Sequence, residues 1–243
     1  MSGPRALVLD FNGVILDDEP VHCATMQEVL AEESFALSDA EYRQDYLALD
    51  DRGAFALALR RMGRPVTEAA LTDLIRRKGV RYHARMREGY RLFPGVADFV
   101  RAAAGHAPLA IASGALRDEI EAALARAALT SCFAAIVSAE EIRRMKPDPE
   151  IYRTALARLN AATPRPGPPI APAECLAIED SMAGVRAAQA AGMRCVAVTN
   201  SYPAEALAFA EVVVASLAGQ TPPSLWRAAT DGARRAGSRR TGG

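Results

Sequence analysis

Short apolar runs alternate with longer amphipathic stretches along most of the chain. The runs have strand length and lie at residues 6–9, 108–112, 133–137, 175–178, 195–198 and 212–214. Continuous Leu, Val and Ile residues are typical of parallel strands that are buried on both faces. The stretches between most of these runs carry apolar residues at helical spacing. The pattern therefore predicts an α/β fold, with a parallel sheet flanked by helices.

The stretch from residue 17 to residue 91 departs from this alternation. Apolar residues recur there at helical spacing, for example Val21, Met26, Val29 and Leu30, and no convincing strand pattern is present. The turn sequence 93–96 (Phe-Pro-Gly-Val) then leads back to alternating strands and helices. We expect a core of residues 1–16 and 92–226, an all-helical insertion at 17–91, and a basic, disordered tail at 227–243.

Polar residues follow four of the apolar runs. Asp10 ends the first run, Ser113 and Gly114 end the second, Lys146 comes after the third, and Glu179-Asp180 end the fourth. The carboxyl ends of parallel strands meet at one edge of an open sheet, where ligands bind. Simpler interpretations stay open at this point: Asp10 could cap a turn, Ser113 could be an ordinary strand-end hydroxyl, and the Glu-Asp pair could answer a helix dipole.

The basic residues are almost all arginine. Of the 29 basic residues, Lys78 and Lys146 alone are lysines. An ammonium is a compact point charge that fits a tight phosphate site, whereas a guanidinium is a broad planar fork. Each lysine is therefore a candidate phosphate or substrate ligand, and the alternative is chance.

Composition restricts the class of protein. The 243 residues carry 29 basic and 29 acidic side chains, which gives no overall charge to attract nucleic acid or an anionic membrane. The four cysteines form no CxxC pair, and no apolar run approaches the roughly 20 residues of a membrane span. We expect a soluble cytoplasmic protein, monomeric or homodimeric, without nucleic-acid or membrane partners.

Asp10, Ser113, Lys146 and Glu179-Asp180, in this order at strand ends, resemble the four motifs of the haloacid dehalogenase-like hydrolase superfamily. The resemblance runs from about residue 5 to about residue 215 and extends to the β-phosphoglucomutase-like subgroup, with a Rossmann-like core and a small helical cap domain. It implies that Asp10 is a nucleophile that forms an aspartyl phosphate. It also implies Mg²⁺ bound by Asp10, Asp180 and the backbone carbonyl of Asn12, with Glu179 acting directly or through water.

The resemblance implies roles for the remaining candidates. Ser113, Gly114 and Lys146 would bind the phosphate of a small phosphorylated metabolite. In the cap, the resemblance assigns substrate contacts to His22, Arg52 and Lys78.

Asn12 departs from the family pattern, which has an aspartate two residues after the nucleophile. In relatives this aspartate protonates the leaving oxygen and activates water; an amide has no proton to exchange in this way. Three explanations stay open: a slow phosphatase or one for good leaving groups, a protein that binds a phosphometabolite without turnover, or deamidation of the Asn12-Gly13 pair. A phosphomutase is a further alternative, although the segment 113–115 (Ser-Gly-Ala) lacks the polar residues that mutases place there.

Overall fold

The computed structural model describes residues 3–47, 49–162 and 168–240, and describes side chains as far as residue 231. The chain divides into two compact units. The first comprises Met1–Leu16 and Leu92–Gly243, and the second comprises Asp17–Arg91. Two strands of two residues each, β2 (Leu16–Asp17) and β3 (Arg91–Leu92), form a small separate sheet where the chain passes between the units.

The first unit is built on a six-stranded parallel sheet, as the apolar runs predict. Its strands are β1 (Ala6–Leu9), β4 (Leu109–Ala112), β5 (Phe133–Val137), β6 (Cys175–Glu179), β7 (Arg194–Val198) and β8 (Val212–Val214). Their spatial order is β5-β4-β1-β6-β7-β8, so β1 lies between β4 and β6. The strand order reverses at β1, which is the switch point where open α/β sheets place their ligands. The predicted fold class is confirmed.

The α-helices in the described part of this unit are α5 (Val96–Ala104), α6 (Arg117–Arg126), α7 (Glu150–Ala162), α8 (Met182–Ala190) and α9 (Pro222–Arg240). Residues from α7 and α8 pack with β1, β4, β6 and β7 in one apolar cluster, in which Tyr152, Leu159 and Val185 are fully buried. Because this buried cluster joins α7 and α8 to the central strands, it holds in place the sheet edge that carries the polar residues.

The second unit contains the helices α1 (Glu19–Glu32), α2 (Asp39–Glu41), α3 (Asp51–Arg61) and α4 (Glu68–Glu88), with a π-helical turn at Tyr42–Tyr46. Its own core is formed by apolar side chains of these helices, such as Val29, Leu30, Phe55 and Leu59. The helical interpretation of this stretch agrees with the structure.

The C-terminal segment differs from the sequence expectation. Residues from 227 onward were expected to be disordered, but α9 continues to Arg240, and residues 241–243 lie outside the described part of the chain. Leu225 and Ala229 are buried, and the Arg194 guanidinium lies 5.4 Å from the centre of the Trp226 ring. These contacts hold the start of the helix, and alanine and arginine favour its continuation. Within the described ranges, the helices are too short or too polar to cross a membrane.

Candidate active site

Asp10 occupies the centre of the sheet edge, immediately after β1. The Asp10 amide donates to the Ile178 carbonyl of the neighbouring β6, which extends the strand pairing to the aspartate itself. Its Oδ1 accepts from the Phe11 amide at 2.7 Å, and its Oδ2 lies 2.8 Å from Lys146 Nζ. Both carboxylate oxygens are therefore held. Burial raises the pKa of Asp10 to about 6, although Lys146 opposes the shift.

Lys146 lies between two carboxylates. Its Nζ is 2.8 Å from Asp10 Oδ2 and donates to Glu179 Oε1 at 2.6 Å. The side chain is only 11% exposed. The two carboxylates outweigh the effect of burial and raise the pKa of Lys146, which keeps the ammonium charged. Lys146, a site residue predicted from the sequence, thus contacts the candidate nucleophile Asp10 directly.

Glu179, the last residue of β6, is fully buried and accepts hydrogen bonds from four donors. Lys146 and the Tyr152 hydroxyl reach Oε1, the latter at 2.5 Å. The Ser181 hydroxyl and the Asp180 amide reach Oε2 at 3.1 and 3.2 Å. With both oxygens engaged by the protein, Glu179 serves first as the anchor of Lys146. This points away from direct metal ligation by Glu179.

Two glycines give these carboxylates the room they occupy. A Cβ atom on Gly184, in the first turns of α8, would lie 2.0 Å from both carboxylate oxygens of Glu179. A Cβ atom on Gly13 would lie 1.8 Å from Asp180 Oδ2, and the φ of Gly13 is +74°. Neither position can take a larger residue without moving an acidic group of the site.

Asp180 is held from the loop after β7. The Ser201 hydroxyl donates to Asp180 Oδ2, and the neighbouring Asn200 side chain donates to the Gly13 carbonyl at 2.7 Å. Burial, followed by repulsion from Glu179 and Asp10, raises the pKa of Asp180. The loop therefore joins the Asp180 carboxylate to the turn that carries Asn12 and Gly13.

The acidic residues fit a divalent cation. Asp10, Glu179 and Asp180 are buried, and each offers a carboxylate oxygen such that these atoms lie within 4.8 Å of one another. Among the described side chains in this cluster, Lys146 supplies one positive charge against three carboxylates, so negative charge is in excess. Oxygen ligands from one or two carboxylates are those that Mg²⁺ uses in proteins. Because Glu179 is already engaged, Asp10 and Asp180 are the better candidates.

Ser113 and Gly114 follow β4, next to Asp10 on the side away from β6. The Ser113 hydroxyl is 3.5 Å from Asn12 Oδ1 and also accepts from the Ala115 amide at 3.1 Å. A Cβ atom on Gly114 would lie 3.0 Å from Met145 Cε, so the residue before Lys146 reaches this glycine. Asp10, Asn12, Ser113, Lys146, Glu179 and Asp180 thus belong to one site.

The second unit contains a cavity of about 290 Å³ lined by residues of α1, α3, α4 and the π-helical turn. His22, Lys78 and Asp51 line it, and Lys78 is only 2% exposed. Lys78 Nζ donates to the carboxylate of Asp51 and lies 2.8 Å from His22 Nδ1. An ammonium can only donate, so His22 Nδ1 is the acceptor and its Nε2–H points to Asp18 Oδ2 at 3.1 Å.

Arg52 does not join this group. Its guanidinium is paired with Glu68, both side chains are more than half exposed, and Arg52 is not among the described residues that line the cavity. The reason is the start of α3: Asp50 caps the helix, so Asp51 faces the cavity and Arg52 projects from the next position on the helix surface. The residue at the cavity is therefore an acid, where the resemblance implied an arginine.

Comparison with known proteins decides the family. The model of the haloacid dehalogenase-like hydrolases matches residues 4–192. The chain belongs to the haloacid dehalogenase-like hydrolases. It is 31% identical over 205 residues to Protein CbbY of Rhodobacter capsulatus, a match that covers 82% of this chain and 86% of the relative. It is 27% identical over 187 residues to the fructose-1-phosphate phosphatase YqaB of Escherichia coli, with 77% and 92% covered.

A solved structure of another relative of this haloacid dehalogenase-like hydrolase has the same fold. It is a variant of CbbY from Rhodobacter sphaeroides in complex with xylulose 1,5-bisphosphate. It is 29% identical to this chain, with a TM-score of 0.66, and the match covers 89% of this chain and 96% of that one. The predicted family and the prediction of a hydrolase are confirmed.

Sequence reasoning does not identify three residues of the site in the first unit of this haloacid dehalogenase-like hydrolase, nor one residue of the cavity in the second unit. Tyr152, Asn200 and Ser201 lie outside the strand-end motifs, in a helix and in a loop that contain no local pattern of catalysis. Asp51 directly precedes Arg52, the residue to which the resemblance assigned a substrate contact. One signal was present: Asn200 and Ser201 come just after the apolar run 195–198, with Thr199 between, and residues beyond strand ends of a parallel sheet face the site.

Proposed function

We propose that the protein is a Mg²⁺-dependent phosphatase that acts on a small phosphorylated metabolite, a sugar phosphate or a similar ester, through an aspartyl phosphate on Asp10. The single observation that carries this proposal is the buried Asp10 carboxylate, fixed by the Phe11 amide and Lys146 beside a second acidic group, Asp180. Relatives that are named phosphatases or known with a sugar bisphosphate support the substrate class.

The chemistry follows from these groups. A carboxylate oxygen of Asp10 attacks phosphorus, and the new O–P bond forms as the ester O–P bond breaks. The leaving oxygen takes its proton from water, because Asn12 has none to give. A water molecule then attacks the aspartyl phosphate, which releases inorganic phosphate and restores Asp10. Lys146 holds the Asp10 carboxylate in place and neutralises charge on the phosphoryl oxygens, and the Ser113 hydroxyl and Gly114 amide are donors for the same oxygens.

Asp10, Asp180 and the backbone carbonyl of Asn12 are the residues proposed to hold Mg²⁺, with Glu179 in support. When bound, the cation offsets the excess negative charge and polarises the phosphoryl group. The single ammonium of Lys146 does not balance three carboxylates that repel one another, which is the physical reason that a dication suits this edge of the sheet.

Asn12 determines how fast the proposed enzyme works. Its amide can hydrogen-bond to a leaving oxygen but has no titratable proton. General acid–base catalysis typically contributes about 10²–10⁴-fold, and this part of the rate is absent while Asn12 remains an amide. Substrates whose leaving groups need little protonation, such as acyl phosphates, are least affected. We therefore expect a phosphatase with a marked preference for good leaving groups.

The helical unit is proposed to act as the cap that selects the substrate. His22 and Lys78, the candidates for this contact, both line its cavity. A ligand that must satisfy a defined set of cavity groups is discriminated more strongly than one bound by its phosphate alone.

A second function is favoured by one specific observation, the amide at position 12. The same pocket without general acid–base chemistry would bind a phosphometabolite and turn it over negligibly. The protein would then sense the ligand or limit its free concentration. The phosphatase is preferred because Asp10, Lys146 and Asp180 all lie together in the site.

The test is a screen of phosphomonoesters and acyl phosphates with Mg²⁺ and with EDTA, on the parent and on Asn12→Asp. We expect the parent to hydrolyse acyl phosphates, and we expect Asn12→Asp to raise the turnover of sugar phosphates by about 10²–10⁴-fold. Mass spectrometry of the peptide containing Asn12 measures deamidation in the parent. If Asn12→Asp binds Mg²⁺ but gains no activity on any ester, the binding protein becomes the preferred function.

A further inference from the structure

The cavity of the helical unit contains two features that ordinarily bind phosphate. One is the ammonium of Lys78, and the other is the N-terminus of α3, where free amides and the helix dipole attract anions. At about 290 Å³ the cavity lies at the small end of the range for small-molecule sites, roughly 300–1,000 Å³. Taken alone, these two features favour a phosphate group as the ligand of the cavity.

Both features are already occupied by carboxylates of the chain. Asp50 accepts from the Gly53 amide at 2.7 Å and so caps α3. The Asp51 carboxylate accepts a hydrogen bond from Lys78 Nζ, and His22 Nδ1 accepts a second hydrogen bond from the same ammonium. The cavity groups that could bind an anion are thus already largely occupied by carboxylates of the chain itself.

The side chains that line the cavity include more acidic groups than basic groups. Glu19 also lines it and accepts a hydrogen bond from Tyr42 at 2.5 Å. With His22 neutral in the hydrogen-bond pattern described above, the lining side chains Glu19, Asp50 and Asp51 carry three negative charges against the one positive charge of Lys78. Burial raises the pKa of Glu19, while the Tyr42 hydrogen bond, His22 and Lys78 act in the opposite direction.

We propose that this cavity accepts a polyhydroxylated or ammonium-bearing part of the substrate and excludes a second phosphate group. Hydroxyl groups can donate to Glu19 and Asp51 and accept from Lys78, and an ammonium can donate to the carboxylates. A phosphate dianion would meet three carboxylates against one ammonium. CbbY of Rhodobacter sphaeroides is known with a bisphosphate; the acidic cavity of this chain predicts the opposite preference.

The proposal rests on the proposed function, in which the helical unit selects the substrate. The two are separated by measuring binding apart from turnover. Calorimetry on Asp10→Asn with Mg²⁺ compares inorganic phosphate, glucose 6-phosphate, glucosamine 6-phosphate and glucose 1,6-bisphosphate. Hydrolysis of the same esters by the parent is measured in parallel. The three sugar phosphates share one ring, so charge is the main variable.

We expect glucose 6-phosphate and glucosamine 6-phosphate to bind more tightly than inorganic phosphate, and the bisphosphate to bind about tenfold more weakly than glucose 6-phosphate or worse. A bisphosphate that binds as tightly as the monophosphate overturns the proposal. So does a series in which neither monoester binds more tightly than inorganic phosphate. If this order of binding is found and no ester is hydrolysed, the proposed function fails and the charge selection stands.

Variants locate the effect in the cavity. Asp51→Asn should release Lys78 and strengthen bisphosphate binding about tenfold, while the monoesters change little. Asp50→Ser removes a charge but keeps a good helix cap, and it should act in the same direction if Asp51→Asn does not fold. Arg52→Gln, on the exposed neighbouring residue, is the control and should change none of the affinities. Equal effects of Arg52→Gln and Asp51→Asn would overturn the assignment.

Discussion

Gly184→Ala is the sharpest structural test of the site, because alanine is normally the better residue inside a helix. An unhindered exchange of glycine for alanine in a helix gains about 1 kcal/mol. At position 184, however, the new Cβ would lie 2.0 Å from both carboxylate oxygens of Glu179. Glu179 is fully buried, so it cannot turn outward without giving up its hydrogen bonds.

The expected cost can be worked from those bonds. Glu179 accepts from Lys146, Tyr152, Ser181 and the Asp180 amide. Hydrogen bonds to a charged group contribute about 1.5–3 kcal/mol each, so the loss of two costs about 3–6 kcal/mol. After the helix gain of about 1 kcal/mol is subtracted, we expect a net loss of about 2–5 kcal/mol in the free energy of unfolding.

Urea unfolding followed by circular dichroism measures this change. Gly79→Ala is the matched control, since Gly79 lies within α4 and an added Cβ would meet no atom within 4 Å. We expect it to leave stability unchanged or to raise it by up to about 1 kcal/mol. If Gly184→Ala behaves like Gly79→Ala, the contact between Glu179 and the helix backbone does not fix the carboxylate, and the reasoning fails.

Three further predictions follow from the same structure. Ser201→Ala should weaken Mg²⁺ binding about tenfold by calorimetry, because Asp180 loses its hydroxyl donor, and Ser201→Thr should restore it; equal affinity in all three proteins would remove Ser201 from the site. Lys146→Ala should lower the free energy of unfolding by about 3–5 kcal/mol, because it removes the counter-charge of two buried carboxylates; an unchanged denaturation midpoint would refute this. Cys175 and Cys195 are buried with raised pKa values, so a thiol reagent should modify them only after unfolding, and rapid labelling in the folded protein would contradict their burial.

The sequence was sufficient for the sheet and for the residues at its edge. A strand that is buried on both faces needs apolar side chains at every position, and this requirement makes β1, β4 and β6 recognisable without tertiary information. Asp10, Ser113, Glu179 and Asp180 then follow from one rule, that polar residues beyond the carboxyl ends of such strands converge.

The partners of these residues could not be predicted in the same way. Tyr152 reaches Glu179 from the buried face of α7, where a tyrosine is indistinguishable in sequence from an ordinary core residue. Arg52 came from the family resemblance, which does not indicate Asp51. The first residue of α3, and therefore which side chain faces the cavity, depends on the cap at Asp50, and helix ends are not fixed by apolar spacing.

The most direct test of the account is the initial rate of acetyl phosphate hydrolysis with Mg²⁺ by the parent and by Asp10→Asn. Acetyl phosphate has a good leaving group, so the amide at position 12 should matter least for this substrate. We predict clear turnover by the parent and a rate for Asp10→Asn that is no faster than the reaction without protein. An Asp10→Asn protein that hydrolyses acetyl phosphate as fast as the parent would contradict the assignment of Asp10 as the nucleophile.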